Sequence, residues 1–292
     1  PGCLGAAAAL KNLDTDRPFQ IVVYGTPAEE TLGSKCDMIK KGCFHDLDVA
    51  FMMHGGPNTC TDVRCLAQRS FHVTFHGKRA HAALAPDKGR SAFDALLAAF
   101  QGIEFLREHV PDDVRMHYTV AKLPGPANVV PAEAEGEFAI RSFSRKTLEG
   151  VCERFLDIIK GASLIAGVDY EIKEGTFFFN KIPVLKLNEL LMNNAKLAGA
   201  PQLAPPREKT GSTDFGNVMY EIPGSCIRVA FVPEGTSSHS QEFVDAGKTE
   251  AAHNCILYGA KAIAGASMDL IMTDGLMDQV KEEFAENKKK NQ

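Results

Sequence analysis

The hydrophobic period of this chain changes twice, and that change limits the folds open to it. Near the start the apolar runs are short and unbroken. One covers residues 20–24 and ends at Gly25 and Pro27; the other covers 49–53 and ends at His54 and Gly55-Gly56-Pro57. Such runs read as strands covered on both faces, and residues 34–41, closed by Gly42, read as the helix between them. An alanine-rich helix is expected over 5–13. From Cys65 the period becomes two: Phe71, Val73 and Phe75 alternate with His72, Thr74 and His76, so one face is wet. Met116, Tyr118 and Val120 repeat the pattern, as do Ala134, Gly136, Phe138 and Ile140 against Glu133, Glu135 and Glu137.

A helix over 91–109 is expected between the first two alternating strands, with Phe93, Leu96, Leu97, Phe100 and Ile103 inward. A second, over 147–166, turns Val151, Phe155, Ile158, Ile159 and Ala162 inward, and a last strand follows at 168–173. The order β-α-β-β-α-β is that of the ferredoxin-like split unit. After about Gly175 the first texture returns, with helices at 183–197, 246–266 and 273–286 and a strand at 226–232. The expected fold is therefore an α/β domain, residues 1–64 and 177–292, interrupted by an inserted α+β module at 65–176.

Composition excludes several function classes. The chain is 45% hydrophobic and 24% charged, as in ordinary globular proteins. A net charge of −5 and a pI near 6.0 provide no basic field for nucleic acid or an anionic membrane. Lys288–Lys290 reads as part of a solvated tail, and no apolar run is expected to reach transmembrane length. The eight cysteines are scattered and form no C-x-x-C pair, so they read as reduced packing residues of a cytoplasmic protein. The chain opens at Pro1 and enters an apolar segment at once. It reads as entered part-way through a domain, which leaves an upstream targeting signal open.

Several polar residues stand where a sheet edge would gather them. Glu29 and Glu30 follow the strand at 20–24; side by side, one carboxylate can bind a metal while the other handles a proton. The structural alternative is a helix N-terminus, where the dipole favours Glu. His54 ends the next apolar run, as a metal ligand or a satisfied strand-end histidine, and His239, among hydroxyls in a late loop, is equally open. In the inserted module His81 follows Gly77-Lys78-Arg79-Ala80, Asn128 lies between two strands and Arg141 ends one. Alone they read as a surface histidine, a turn residue and an exposed cation.

The stretches GTPAEE, DMIKKGCFHDLDVAFMMH, GKRAHAALAPDKGRSAFDAL, NVVPAEAE and GSTDFGNV, in this order, resemble the amidohydrolase, aminoacylase and dipeptidase family of co-catalytic metallopeptidases, family M20, subfamily D. The closest likeness within it is to the peptidase-family-twenty domain-containing protein two group, the β-alanyl-lysine and Xaa-Arg dipeptidases. The resemblance implies a zinc-exopeptidase-like catalytic domain, a mixed sheet with helices on both faces, carrying a ferredoxin-like dimerisation domain. It implies hydrolysis of an amide in a small dipeptide or N-acyl amino acid by metal-activated water. Glu29 would be the general base, and Glu30, His54 and His239 ligands of a divalent pair, zinc or manganese. His81 would cross a homodimer to steady the oxyanion, with Asn128 assisting. Arg141 would hold the substrate carboxylate, and Gly211, Ser212 and Thr213 would line the pocket.

The family also has a His-x-Cys-Gly-His segment ahead of the alanine-rich helix. Cys3 has no Gly-His beside it, so the expectation is that two ligands are lacking and the chain alone is inactive. Thr31-Leu32-Gly33 also replaces a more glycine-rich run. The competing reading is a non-catalytic dimeric relative that binds amino-acid-like ligands.

Overall fold

A computed structural model describes residues 1–291, and the chain divides into two compact units, Pro1–Cys65 with Lys181–Gln292, and Leu66–Asn180. The first unit opens with α1 (Gly2–Leu10), α2 (Ser34–Lys40), β1 (Ala50–Gly56) and the two-residue β2 (Cys60–Thr61). The second holds β3 (Ala67–His76), α3 (Ala92–Arg107), β4 (Arg115–Lys122), β5 (Glu133–Ser142), α4 (Arg145–Ala166) and β6 (Asp169–Phe178). The first unit resumes with α5 (Leu185–Leu197), α6 (Phe215–Glu221), β7 (Gly224–Ala230), α7 (Gln241–Ala246), α8 (Glu250–Met272) and α9 (Leu276–Asn291).

In the second unit the four strands form one antiparallel sheet in the order β4-β5-β3-β6, the split βαβ arrangement expected from the periodicity. Phe71, Val73 and Phe75 of β3 and Phe138 and Ile140 of β5 turn to one face, where α3 and α4 cover them with Leu96, Ile103, Leu148, Phe155 and Ile159. Phe155 is fully buried, with its ring 4.8 Å from Phe71 and 5.1 Å from Phe138. Both helices start on a serine: Ser91 Oγ accepts from Asp94 N–H, and Ser144 Oγ from Thr147 N–H. Leu97 is a correction to the inward list, because it stands half-exposed on the flank of α3 toward solvent.

The first unit has a three-stranded sheet, β1-β7-β2, with β1 parallel and β2 antiparallel to β7. Alternate residues serve opposite faces. Phe51, Met53, Ile227 and Val229 meet α1, α5 and α8, whereas Ala50, Met52 and Cys226 meet α2 and α6. Helices thus cover both faces. Gly259 of α8 lies so close to β1 that a Cβ there would fall 2.3 Å from Met53 Sδ.

Two sequence expectations fail here. Residues 20–24 form no strand, and Ile21, Val22 and Val23 are more than a third exposed. A strand exists only by pairing, and β1 pairs only with β7; Val22 and Phe51 instead line one cavity of about 740 Å³. The other correction is α8, which among the described residues is the helix long and apolar enough to cross a membrane. Here one side of it packs as a core helix, with Ala252, Cys255, Ala262, Ile263 and Ala266 buried. All eight cysteines are free thiols, and burial pushes Cys65, Cys226 and Cys255 up to about 11 and Cys152 up to about 12.

Gly77 is where the second unit admits no side chain, since a Cβ would meet Arg90 O at 2.1 Å and Ala92 N at 2.9 Å. Backbone cannot step aside as a flexible side chain can. Gly77→Ala is expected to destabilise the chain by ~2 kcal/mol or more in urea unfolding, whereas Gly150→Ala, in open space on α4, should stabilise slightly.

Candidate active site

Three loops of the first unit carry the candidate residues. In the first, Ala28 adopts φ 59°, a left-handed conformation that an L-residue takes only under constraint. Its carbonyl accepts from the N–H groups of Thr31, Leu32 and Gly33, which folds Glu29 and Glu30 into a compact turn ahead of α2. The turn is anchored from behind: Lys35 Nζ donates to Asp214 Oδ1 at 2.7 Å and Lys35 N–H to Asp214 Oδ2 at 3.2 Å. Both side chains of that ion pair are buried. Asp214 closes the Gly211-Ser212-Thr213 loop, in which Phe215 N–H donates to Thr213 Oγ1 while Ser212 Oγ is buried without a hydrogen-bond partner.

The second loop carries His239, also left-handed at φ 65°. Ser240 caps α7 by accepting from Phe243 N–H, which directs the chain at His239. His239 Nε2 lies 3.7 Å from Glu30 Oε2, with both side chains mostly exposed. Two residues more than 200 positions apart therefore meet.

His54 is differently placed. It lies inside β1, in register with Arg228 of β7, rather than beyond the strand's end. Burial, then the charge of Arg228, hold its pKa below the ordinary histidine value, so it is neutral at pH 7. Its Nδ1 lies 3.0 Å from Arg228 Nη1 and also faces the Gly55 carbonyl. Carboxylate and imidazole suit zinc or manganese, and Glu30 with His239 fit such an ion as a pair. His54 does not join them: among the described residues no group of three His, Cys, Asp or Glu side chains is placed to hold a metal.

The residues that sequence reasoning missed form the most densely bonded part of the site. Asp62, with a fully buried side chain, accepts from Lys181 Nζ at 2.9 Å and from Arg228 Nε at 3.0 and 3.2 Å; Arg207 Nε stands 3.7 Å away. Asn188 donates to Asp62 O and accepts from Ser225 Oγ, extending the network across the sheet. Asp62, Lys181 and Arg228 each stand beside apolar residues in the sequence, in CTDVRCL, FNKIPVL and SCIRVAF, and that was the signal available.

In the second unit His81 Nδ1 accepts from the N–H groups of Ala83 and Leu84, both at 3.3 Å. A nitrogen that accepts twice carries no proton, so the ring presents Nε2–H outward as a donor. Asn128 is zipped to this loop: Ala82 N–H donates to Asn128 O, and Val130 N–H to Ala80 O. Arg141 is elsewhere. It ends β5, whereas Asn128 precedes its start, and eight residues at ~3.4 Å put roughly 27 Å between the two ends. Its Nε is buried without a hydrogen-bond partner, and burial lowers its pKa.

Burial works to raise the Asp62 pKa, but Lys181 and Arg228 outweigh it and hold the carboxyl below its ordinary value. A depressed folded pKa stabilises fully above the unfolded value of ~3.9 and is lost as pH falls through the folded one. Lys181, raised by Asp62 against burial, stabilises below ~10.4 and loses that as pH rises further. The contribution of this ion pair should therefore plateau between about pH 4 and 10, whereas the lowered His54 pKa takes stability away below ~6.5 and the raised cysteine pKa values take it away above ~8.5. Asp214→Asn, which strands the Lys35 ammonium, should cost about 3–5 kcal/mol in denaturant titration at pH 7.

Comparison with known proteins adds to this geometry. The peptidase dimerisation domain matches residues 68–164. A mouse protein named Xaa-Arg dipeptidase is 30% identical over 285 residues, 96% of this chain and 66% of the relative. A p-aminobenzoyl-glutamate hydrolase polypeptide from Escherichia coli is 27% identical over 322 residues, covering 89% of this chain and 66% of that one. A Bacillus subtilis protein described as a dinuclear metal-binding peptidase from the M20 family superposes with TM-score 0.68 at 18% identity, over 93% of this chain and 71% of its own. The aminobenzoyl-glutamate utilization protein of Klebsiella pneumoniae gives 0.67 at 22%, over 91% and 66%. At those identities the two structures speak for the fold. The chain spans about two thirds of the length of the curated relatives it matches.

Proposed function

Because the chain belongs to the M20 family of peptidases and amidohydrolases, we propose that the protein hydrolyses the amide bond of a small dipeptide or N-acyl amino acid. The observation that carries this is the meeting of Glu30 and His239, brought from opposite ends of the chain to one place beside Glu29. A divalent cation, zinc or manganese, two per site as the family implies, would supply acidity to water near neutral pH. Glu29 accepts the water's proton and returns it to the leaving amine, a role its neighbour Glu30 is then free not to share. His81 donates Nε2–H to the oxygen that becomes negative as the carbonyl is attacked, and Asn128 stands beside it. Arg141 pairs with the substrate carboxylate, and the Gly211–Thr213 loop lines the pocket.

The distance between Asn128 and Arg141 supports a homodimer. A dipeptide extends only ~7 Å, far less than the length of β5, so one copy of the second unit cannot apply both His81 and Arg141 to the same small substrate. A two-fold dimer resolves this if each copy lends its His81 to the other. The free edge of β4 is the better interface. It presents Tyr118 and Val120 about a third exposed, whereas the β6 edge carries Asp169, Glu171, Lys173 and Glu174, charges that resist pairing.

A second reading, a dimeric binder without turnover, draws on the lack of a three-donor metal group among the described residues. A panel of Xaa-Arg dipeptides, N-acyl amino acids and p-aminobenzoyl-glutamate separates the two, since the binder would saturate with ligand and release no amine.

Glu29→Gln is expected to reduce turnover ~10²–10⁴-fold with metal content and circular dichroism unchanged; near-normal turnover removes Glu29 from the mechanism. His81→Ala and Glu29→Gln proteins, each inactive alone, should regain activity after subunit exchange. Val120→Glu should shift the sedimentation of the protein toward monomer.

A further inference from the structure

β1 gives only one of its two edges to the sheet. Ala50 N–H donates to Pro223 O, and the ladder to β7 runs on to Gly56. Main-chain groups point to alternate edges along a strand, so Val49 and Phe51 turn their N–H and C=O the other way. At Met53 the Cys3 thiol takes that place. At Val49 and Phe51 the main chain has no hydrogen-bond partner on this side among the described residues. Beyond this edge lies the cavity of about 740 Å³, and residues 18–23 form its other wall. That wall is held at both ends. Arg17 donates to Ile271 O at 3.0 Å and to Asp274 Oδ1 at 2.7 Å. The Tyr24 hydroxyl donates to Cys43 O, and its ring lies 5.2 Å from Phe44. Between these clips residues 18–23 make no main-chain hydrogen bond among the described residues.

The slot has the shape and chemistry of a strand. Spread along ~20 Å, the length of six extended residues, its volume gives a cross-section of ~37 Å², against ~4.8 Å by ~10 Å for a strand between two neighbours. It holds one strand, not two. Both faces are apolar, with Ala6, Leu10, Ile263 and Leu270 of α1 and α8 on one and Phe215 and Val218 of α6 on the other. A strand covered on both faces carries apolar side chains throughout.

We infer that this slot accepts one strand of about six consecutive apolar residues, donated by another polypeptide, which pairs with Val49 and Phe51 on one side and with residues 18–23 on the other. This chain does not supply the strand, because its own unbroken apolar runs read as strands, 20–24 and 49–53, already form the two walls. Unpaired main-chain groups and a void of this size are both costly, and a donated strand removes both. The slot lies within the first unit, and none of Glu29, Glu30, His54 or His239 lines it, so it is independent of the hydrolase reading.

The test is amide hydrogen exchange, read by NMR on the 292-residue chain, with a soluble peptide of six valines and leucines between lysine pairs. At saturating peptide the Phe51 amide and those of Phe19–Val23 should slow by about tenfold or more. The same peptide with a central proline lacks a ladder donor and should slow neither. Val22→Asp puts a charge in one wall and should weaken the peptide by about tenfold or more, with the Ala50 and Met52 amides on the β7 side unchanged. The two peptides on the wild-type chain decide the matter if that variant fails to fold. Equal slowing by both peptides, slowing by neither, or undiminished binding to folded Val22→Asp overturns the inference. Slow exchange without peptide overturns it too. If that slowing is independent of protein concentration, residues 18–23 have closed onto β1; if it grows with concentration, a second copy fills the slot. No readout uses hydrolysis, so failure here is distinguishable from failure of the dipeptide assay.

Discussion

One buried carboxylate holds the interrupted unit together. Asp62 lies three residues before the last residue preceding the second unit, and Lys181 is the first residue after it ends. The ion pair between them closes the chain where it leaves and where it returns, and Arg228 ties both to the central strand β7. Removing charges from water is expensive, so such a cluster persists only when every member is paired. Here Asn188 and Ser225 satisfy what remains of the network around Asp62. Neighbouring bridges between Cys65 and Thr210 and between Asp62 and Arg207 follow the same line. The loop that leads to Thr213 and Asp214 is held at its Thr210 end by this seam and at Asp214 by Lys35 of α2.

Upon that rigid seam the chemistry-bearing residues sit in strained backbone. Ala28 and His239 are two of three non-glycine residues with positive φ among those described, and each adjoins or is a candidate site residue. Their conformations are imposed from outside, by three N–H groups on the Ala28 carbonyl and by the serine cap after His239. The buried Lys35–Asp214 pair holds the start of α2, which follows the first turn. Preorganisation of this kind places donor atoms before any ligand arrives.

The second unit was the most legible part of the sequence, because its sheet has one wet face and the alternation of Phe71, Val73 and Phe75 with His72 and Thr74 registers directly. Leu97 misled because an apolar residue at helical spacing looks the same in sequence whether it faces the core or, as here, stands half-exposed on the flank of α3. The first unit was harder. An unbroken apolar run such as 20–24 declares burial but not the partner that makes a strand, and pairing is a tertiary fact. Glu29, Glu30 and His239 were legible as polar residues in loops, and their resemblance to a family linked them. Lys35, Asp62, Lys181 and Arg228 were not, because an isolated charge in an apolar run looks the same whether it reaches solvent or a buried partner. His81 and Arg141 were legible as site candidates, but their places at opposite ends of β5 depend on strand order, which spacing alone does not encode.

The register of β3 with β6 places Gln68 opposite Phe178, so the second unit begins and ends on neighbouring strands. Its two ends are therefore only ~5 Å apart, about the separation of adjacent residues across any ladder. A module with ends that close can be spliced into a surface turn without stretching its host or adding loop-closure entropy. It can also be lifted out whole. Such a segment is free to travel between hosts, and its outer surface can drift in sequence independently of the unit that receives it.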